Sequence, residues 1–389
     1  MDRIGILQLN DYCLDNILQF LDIKEQICFA QTCSRFRDIF FDWSRRENTK
    51  VSILGDVEPW ELTFLSLNTK SVKELKLFVD DLVDSIIIYD SYTKNNQVVV
   101  KFCNLVRSMN SLECIKIWQV TPHPITKLLL RALRDLPNLK QLYVGIPKRV
   151  NFGKFHRLEL ISIDVKMPPR VLLRYCRSLT KLRTLHLSDQ VSSSNLRDIV
   201  EHLPALQELS FYIDRSTRSR ITACHKKQIN SLIMVLDFLA SKRTLKVLRI
   251  KGHIIAQDEA ESLTKIQSLQ SLDCSFAYPE LVKYLSLLTS LQILRITYLH
   301  PIDISSIYLD VIRQCKDLLF LRLYDFNINP DFLGRASKVL KDIESKNKLQ
   351  LLIYGRHNSL TLREFRSKAL DTNNLLFRSI SATELLKIL

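Results

Sequence analysis

The first 50 residues carry apolar positions at helical spacing. One stripe runs from Leu14 to Leu21 in an i, i+3, i+4, i+7 pattern, and Asn10 or Asp11 precedes it as a candidate N-cap. Two further apolar sets, at residues 27–33 and 36–40, predict two more short helices. Three short helices bury only a marginal core, so we expect apolar side chains to remain exposed for a partner.

A different pattern begins at residue 72, where L-x-x-L-x-L recurs with apolar substitutes. Eleven such triplets start between Val72 and Leu349, and six of the ten intervals between successive starts are 20 to 29 residues long. A single triplet carries no weight, since 46% of the residues are hydrophobic, but this spacing is typical of leucine-rich repeats. Leu182-Leu185-Leu187 is one triplet, and Leu349-Leu352-Tyr354 is the last.

Helical spacing appears between the triplets, so each repeat is predicted to be a short strand, a loop and a helix. Pro279 and Pro330 suit a first helical turn. The predicted fold class is α/β: a leucine-rich-repeat horseshoe solenoid with parallel inner strands and outer helices, preceded by a small three-helix segment. The predicted helices of the repeats are 126–136, 195–203, 229–240, 258–266, 279–288, 305–315 and 330–343.

These two patterns predict the domain layout. Long intervals near residues 80–100 and 214–230 indicate insertions or an undetected repeat, and the basic stretch 214–227 is predicted to be a surface loop. The predicted divisions are a helical domain at 1–50, a connecting segment or N-terminal cap at 51–71, irregular repeats at 72–355, and a C-terminal cap or tail at 356–389.

The charge is unevenly distributed along the chain. Fifty-six Lys and Arg against 41 Asp and Glu give a net charge of +15. Residues 1–50 hold seven basic and eight acidic side chains, so the positive excess lies in the remainder. Residues 215–251 hold ten basic side chains against the single acid Asp237. The repeats therefore form a basic surface, which the helical segment does not share.

The cysteines and the apolar segments bear on where the protein acts. The nine cysteines are odd in number and lie mostly in apolar runs, which predicts buried thiols in a reducing compartment. The N-terminus lacks a secretory pattern, no N-x-S/T sequon occurs, and no apolar segment approaches about 20 residues. The predicted location is cytoplasmic, nuclear or both, without a membrane anchor.

No motif in the sequence predicts catalysis. Glycine-rich nucleotide loops, the G-x-S-x-G elbow, H-E-x-x-H and C-x-x-C are all missing, and the eight histidines are scattered. We therefore predict a non-enzymatic protein with no catalytic residue, metal site or cofactor.

Side chains that alternate with the buried triplet positions are predicted to face the concave side, where a partner would bind. Arg249, Lys251, Arg295 and Arg322 come from neighbouring repeats and are predicted to form a basic patch for a carboxylate or phosphate group. Taken singly, each candidate is also compatible with an ordinary solvated strand residue. The candidate substrate-binding residues are Lys116, Trp118, Tyr143, His186, Tyr212, Arg249, Lys251, Arg295, Arg322 and Tyr324.

Residues 9–43, LNDYCLDNILQFLDIKEQICFAQTCSRFRDIFFDW, resemble the F-box motif. Two positions depart from its pattern: Asn10 stands where proline is usual, and Phe36 where tryptophan is usual. In that family the motif docks on the Skp adaptor of a cullin-RING ubiquitin ligase. The resemblance implies an adaptor-binding role for Leu9, Asn10, Leu14, Ile17, Leu18, Leu21, Ile27, Phe29 and Phe36.

With repeats after this motif, the chain resembles an F-box protein of the leucine-rich-repeat class. The resemblance implies a substrate-recognition subunit of a Skp-cullin-F-box ligase, in which other subunits supply the chemistry by proximity. Its expected partners are the Skp adaptor, the cullin-RING ligase and a substrate protein with an acidic or phosphorylated segment. The alternative is a ligase-independent leucine-rich-repeat scaffold or a basic nucleic-acid-binding module, which steeply salt-dependent RNA binding would favour.

Overall fold

The computed structural model places most of the chain in regular elements. The chain divides into two compact units, residues 1–182 and 183–389. The structure describes residues 5–54, 58–82, 97–121, 123, 125–145, 155–164, 168–187, 193–213, 223–329, 331–344, 348–354 and 375–380.

The N-terminal unit begins with a 3-10 turn, Ile6–Gln8, and three helices. These are α1 (Asp11–Leu18), α2 (Ile23–Thr32) and α3 (Ser34–Glu47). The side chain of Asn10 accepts a hydrogen bond from the backbone N–H of Cys13 at 2.9 Å, so it caps α1 as predicted. Asp22 and Glu25 form a reciprocal capping box that begins α2.

The core of these three helices extends into the next helix, α4 (Pro59–Leu67). Phe40 and Phe64 pack edge to face, with ring centroids 6.5 Å apart. Behind them, Ser44 and Asn68 form a buried hydrogen bond, and the hydroxyl of Ser44 lies 3.2 Å from that of Ser71. Because aromatic and polar groups of α3 and α4 are buried together, α1–α4 form one packed body.

The rest of the N-terminal unit alternates strands with helices. Its five strands pair in sequence order, and each pair that the structure describes within this unit is parallel. The sheet begins at β1, before the predicted first triplet at residue 72. The elements are β1 (Lys50–Ile53), β2 (Glu74–Phe78), α5 (Gln97–Arg107), β3 (Cys114–Trp118), α6 (Ile125–Arg134), β4 (Gln141–Gly145), β5 (Leu160–Asp164) and α7 (Pro169–Cys176).

The C-terminal unit repeats the same plan with eight parallel strands in sequence order. Its strands are β6 (Thr184–Leu187), β7 (Glu208–Tyr212), β8 (Val247–Ile254), β9 (Ser271–Phe276), β10 (Ile293–Tyr298), β11 (Phe320–Asp325), β12 (Leu349–Tyr354) and β13 (Leu375–Ile380). Its helices are α8 (Ser193–Glu201), α9 (Ala223–Lys242), α10 (Gln257–Thr264), α11 (Pro279–Val282), α12 (Ser305–Gln314) and α13 (Phe332–Asp342).

The triplets are the buried positions of the strands, which confirms the predicted α/β repeat architecture in each unit. Leu182, Leu185 and Leu187, for example, are all buried on the helix side of the sheet. Residues between them lie on the opposite side, here named the open face, because side chains alternate along a strand.

The prediction for the last triplet, Leu349-Leu352-Tyr354, is wrong by one residue at its second and third positions. The structure pairs Leu351 with Leu321 and Ile353 with Leu323, so residues 351 and 353 face the helices. Leu352 and Tyr354 belong to the open face instead. The continuous apolar run LQLLIY allows either register, and strand pairing selects one.

The seven predicted helices of the repeats are all present, with shifted ends. The predicted helix 279–288 is a single α-turn, α11, continued by a 3-10 segment, Lys283–Leu287. Helix α5 occupies part of the long interval near residues 80–100, and α7 was also not predicted. The prediction of a loop over 214–227 is wrong for residues 223–227, which belong to α9. The rest of that loop and most of the predicted segment 356–389 lie outside the described residues.

Strand β8 contains an irregularity at Gly252. Arg249 pairs with Asp273 and His253 with Ser275, so β8 holds two more residues than β9 over this stretch. Gly252 has φ +109°, and a Cβ there would overlap the carbonyl oxygen of Ile213. Only glycine adopts this conformation without strain.

Candidate functional site

Five residues with a predicted adaptor-binding role form the core of the three-helix segment. Leu14 and Leu18 are completely buried, and Ile27, Phe29 and Phe36 are 2–7% exposed. The rings of Phe29 and Phe36 stack with centroids 4.4 Å apart, so Phe36 fills the interior as an aromatic plug. In the free chain these five side chains hold the helices together.

The other predicted adaptor-binding residues lie nearer the surface. Leu9, Ile17 and Leu21 are partly buried against the same core, and Asn10 is exposed at the N-cap of α1.

A set of apolar side chains between residues 6 and 23 is exposed to solvent. Phe20 is 87% exposed and Tyr12 is 74% exposed, although aromatic side chains of this size are usually buried. These residues were not predicted because they fall outside the helical stripe of α1. This exposed apolar surface comprises Ile6, Leu7, Tyr12, Phe20 and Ile23.

Arg35 holds the start of this surface in place. Its guanidinium donates to the backbone carbonyls of Leu7 at 2.7 Å and Leu9 at 2.6 Å, and pairs with the carboxylate of Asp11 at 2.6 Å. One side chain of α3 therefore ties the segment that carries Ile6 and Leu7 to the helices. Arg35 lies within the stretch 9–43 that resembles the F-box motif.

On the open face of the N-terminal unit, the charge of Lys116 is paired with that of an acidic side chain. The ammonium of Lys116 lies 2.7 Å from the carboxylate of Glu74 and 5.2 Å from the ring centre of Tyr143. The hydrogen bond from Lys116 is the main cause that lowers the pKa of Glu74. Trp118 lies beside Lys116 on the same strand, and its ring is close to the Cα of Gly145, where a Cβ would come within 3.1 Å. Lys116, Trp118 and Tyr143 thus lie on the same face of neighbouring strands, and Lys116 contacts Tyr143.

Two predicted residues of the C-terminal unit also meet, around a carboxylate that was not predicted. His186 lies 2.9 Å from Glu208 through its Nε2 atom, and Arg249 forms an ion pair with the same carboxylate oxygen. The hydrogen bond with His186, together with the charge of Arg249, lowers the pKa of Glu208 despite its burial. Arg249 is therefore neutralised within the chain.

Replacing Glu208 with glutamine is expected to lower the free energy of unfolding by about 1 to 2 kcal/mol near neutral pH. Because its pKa is lowered, the carboxylate stabilises the folded state above the ordinary value of 4.5, and that contribution disappears as the pH falls through the folded-state pKa. The difference between the two proteins should therefore shrink as the pH is lowered below 4.5 in urea denaturation. Glu280→Gln, at an exposed site, should not change the free energy of unfolding in this pH-dependent way.

Charged residues of neighbouring strands form a row on the open face of the C-terminal unit. Pairing brings Arg249, Asp273, Arg295 and Arg322 to successive strands at the same height on the open face. Burial raises the pKa of Asp273, although the four cations Arg295, Arg322, Arg249 and Lys251 each act to lower it. The predicted basic patch is thus assembled by the sheet.

Aromatic rings lie along the edge of this row. The guanidinium carbon of Arg322 lies 4.8 Å from the ring centre of Tyr354, and the ring centres of Tyr324 and Tyr354 are 6.0 Å apart. Tyr212 pairs with Lys251 at the corresponding height of β7 and β8. All the predicted substrate-binding residues of this unit therefore lie on its open face.

Cysteine environments agree only partly with the predicted buried thiols. Burial raises the pKa of Cys114 to about 11 and those of Cys176 and Cys315 to about 12, so these thiols are protonated near neutral pH. The prediction of burial is wrong for Cys28, which is exposed on α2.

In the described part of the chain, no cluster of three His, Cys, Asp or Glu residues is arranged to hold a metal ion. No helix among the described residues is long and apolar enough to cross a membrane.

Comparisons with known proteins agree with this geometry at the N-terminus. A model of the F-box domain matches residues 6–47, which span the 3-10 turn and α1–α3. No curated protein matches the chain. Among solved structures, an internalin C2 from Listeria monocytogenes is similar over 56% of this chain and 74% of that chain, at 14% sequence identity and a TM-score of 0.27.

A TM-score of this size carries no argument, so the nature of the repeats rests on the strands themselves. Buried L-x-x-L-x-L positions, parallel pairing in sequence order and intervening helices are the defining features of leucine-rich repeats. The chain therefore contains an F-box domain at residues 6–47, followed by a region of parallel strand–helix repeats of the leucine-rich type.

Proposed function

We propose that this protein is the substrate-recognition subunit of a Skp-cullin-F-box ubiquitin ligase. The match of residues 6–47 to the F-box domain carries the proposal, because this domain type docks on the Skp adaptor. The exposed apolar side chains of this domain support it independently, since large apolar residues exposed together are typical of surfaces that bind another protein.

In this role the protein binds and positions rather than reacts. Ile6, Leu7, Tyr12, Phe20 and Ile23 contact the adaptor, while Leu14, Leu18, Ile27, Phe29 and Phe36 keep that surface in shape. The open faces of the repeats bind the substrate protein, with aromatic and arginine side chains as the principal contacts. Ubiquitin transfer is carried out by other subunits, and the proximity of the bound substrate supplies the rate advantage.

The double variant Tyr12→Ser/Phe20→Ser is expected to lose adaptor affinity by about 30-fold or more, because large aromatic side chains dominate the binding energy of interfaces. Co-purification and titration with the purified Skp adaptor measure the effect. A matched control, Met234→Ser/Leu287→Ser, removes two exposed apolar side chains from the C-terminal unit and should leave the affinity unchanged.

Point variants are preferable to deletion of residues 1–50. Such a deletion removes Phe40 and Ser44, and so uncovers Phe64 and Asn68 of the first repeat. If the unaltered chain fails to capture the adaptor, the ligase role is wrong, and steeply salt-dependent RNA binding would then favour the nucleic-acid-binding alternative. Capture that survives the Tyr12/Phe20 variant would contradict the assigned docking surface.

A further inference from the structure

We infer that the open face of the C-terminal unit recognises an acidic segment of the bound protein through Arg295 and Arg322. This inference rests on the proposed function, in which that face binds the substrate. The ligand chemistry is an oxyanion, carried either by a carboxylate side chain or by a phosphoryl group.

Arg295 and Arg322 differ from Lys116 and Arg249 in forming no ion pair with a described residue, although both interact electrostatically with Asp273. Lys116 is paired with Glu74, and Arg249 is paired with Glu208. Among the residues that the structure describes, Arg295 and Arg322 form no ion pair and donate no hydrogen bond. Their guanidinium donors therefore remain available to a ligand.

Both guanidinium groups rest on aromatic rings. The guanidinium carbon of Arg295 lies 5.5 Å from the ring centre of Phe320, and that of Arg322 lies 4.8 Å from the ring centre of Tyr354. A ring below the guanidinium plane limits side-chain motion and leaves the N–H edges free. The entropy lost on binding an anion is reduced accordingly.

The local charge favours an anionic ligand in spite of Asp273. Arg249, Lys251, Arg295 and Arg322 all act on this carboxylate, and Glu208 is the other acid in direct contact with the group. Four permanent cations thus face two carboxylates.

The spacing of the two arginines suits one anion or two successive anionic side chains. Arg295 and Arg322 are paired residues of adjacent parallel strands, β10 and β11. Neighbouring strands lie about 4.8 Å apart, so both guanidinium groups reach the same oxyanion or adjacent ones. Two charge-assisted hydrogen bonds to a single carboxylate or phosphate are strong and directional.

The test uses the full chain and fluorescein-labelled short peptides of alternating glutamate and serine, alternating phosphoserine and serine, and alternating lysine and serine. Fluorescence anisotropy at low ionic strength measures binding. Arg295→Gln/Arg322→Gln is expected to weaken binding of the glutamate or phosphoserine peptide by about tenfold or more. The control Lys265→Gln/Arg313→Gln removes the same net charge from two cations that lie outside the strands and are paired with Asp237 and Asp310, and should change binding less than about twofold.

Preference between the glutamate and phosphoserine peptides identifies the source of the oxyanion, and either preference supports the inference. Equal weakening by the two double variants, equal binding of the lysine peptide, or no binding of either acidic peptide would overturn it. Adaptor capture, measured on the same proteins, separates the two ideas. Failed capture with intact, Arg295/Arg322-dependent peptide binding rejects the ligase role alone.

Discussion

The change Leu14→Ala is expected to lower the free energy of unfolding of the F-box region by about 2 to 5 kcal/mol. Leu14 is completely buried among Leu18, Phe40 and the other core side chains, so its removal leaves a cavity at the centre of three short helices. A domain this small has little reserve stability with which to absorb such a loss.

Tryptophan fluorescence during urea denaturation reports this loss, because Trp43 lies in the same core and Trp60 packs against it. Adaptor affinity should fall only under conditions in which the variant unfolds, and should recover when the temperature is lowered. Phe20→Ala is the matched comparison, since it should leave the unfolding midpoint unchanged and weaken binding at every temperature. A folded Leu14→Ala protein with weak adaptor binding would instead place Leu14 in the interface.

Replacement of Gly252 by alanine is the second large expected effect, at about 2 to 4 kcal/mol of destabilisation. The backbone there has φ +109°, and the added Cβ meets the main chain of Ile213, which cannot rotate away as a flexible side chain would. The backbone N–H of Ile213 donates to the carbonyl of Lys251 at 2.6 Å, so displacement of either strand also breaks this bond.

Gly334→Ala provides a control of opposite sign. Gly334 lies in α13, where nothing comes within 4 Å of the position a Cβ would take, so alanine should stabilise the helix by up to about 1 kcal/mol. Thermal unfolding followed by circular dichroism compares the two variants. Equal midpoints for Gly252→Ala and the unaltered chain would show that the β8 irregularity relaxes at no cost.

The repeat region could be predicted because the same spacing of apolar residues recurs in eleven triplets along the chain. Each strand contributes two alternating buried positions, and a third precedes the strand at a fixed distance. This signal disappears where apolar residues are continuous, which is why the register at Leu351 to Tyr354 was misassigned. Pairing with β11 selects between registers that the local sequence leaves equivalent.

The F-box surface was harder to predict than its core. Helical spacing identifies Leu14 and Leu18 as one face, but it does not say whether that face meets a partner or the neighbouring helices. The exposed Tyr12 and Phe20 have no periodic signal at all. Their exposure follows from how α1–α3 close on one another, which depends on contacts distant in sequence.

The basic patch was predicted from composition and spacing. The sequence did not show which of its cations are already paired with an acid. Glu208 was hidden among ordinary strand residues, and only the pairing of β7 with β8 brings it to Arg249. Whether a cation is available to a ligand depends on such pairs. The basic charge of the C-terminal unit is therefore predictable from the sequence. Only the structure shows that Arg249 is paired with Glu208, whereas Arg295 and Arg322 form no ion pair within the described part of the chain.

The packing of Phe40 on Phe64 also determines where the F-box can be separated from the repeats and joined to another protein. A chimera joined at residue 50 would separate these rings and divide the buried Ser44–Asn68 hydrogen bond between two proteins. A junction beyond Ser71 keeps both intact. For recombination, in the laboratory or in evolution, the transferable piece is the F-box together with its first strand and α4.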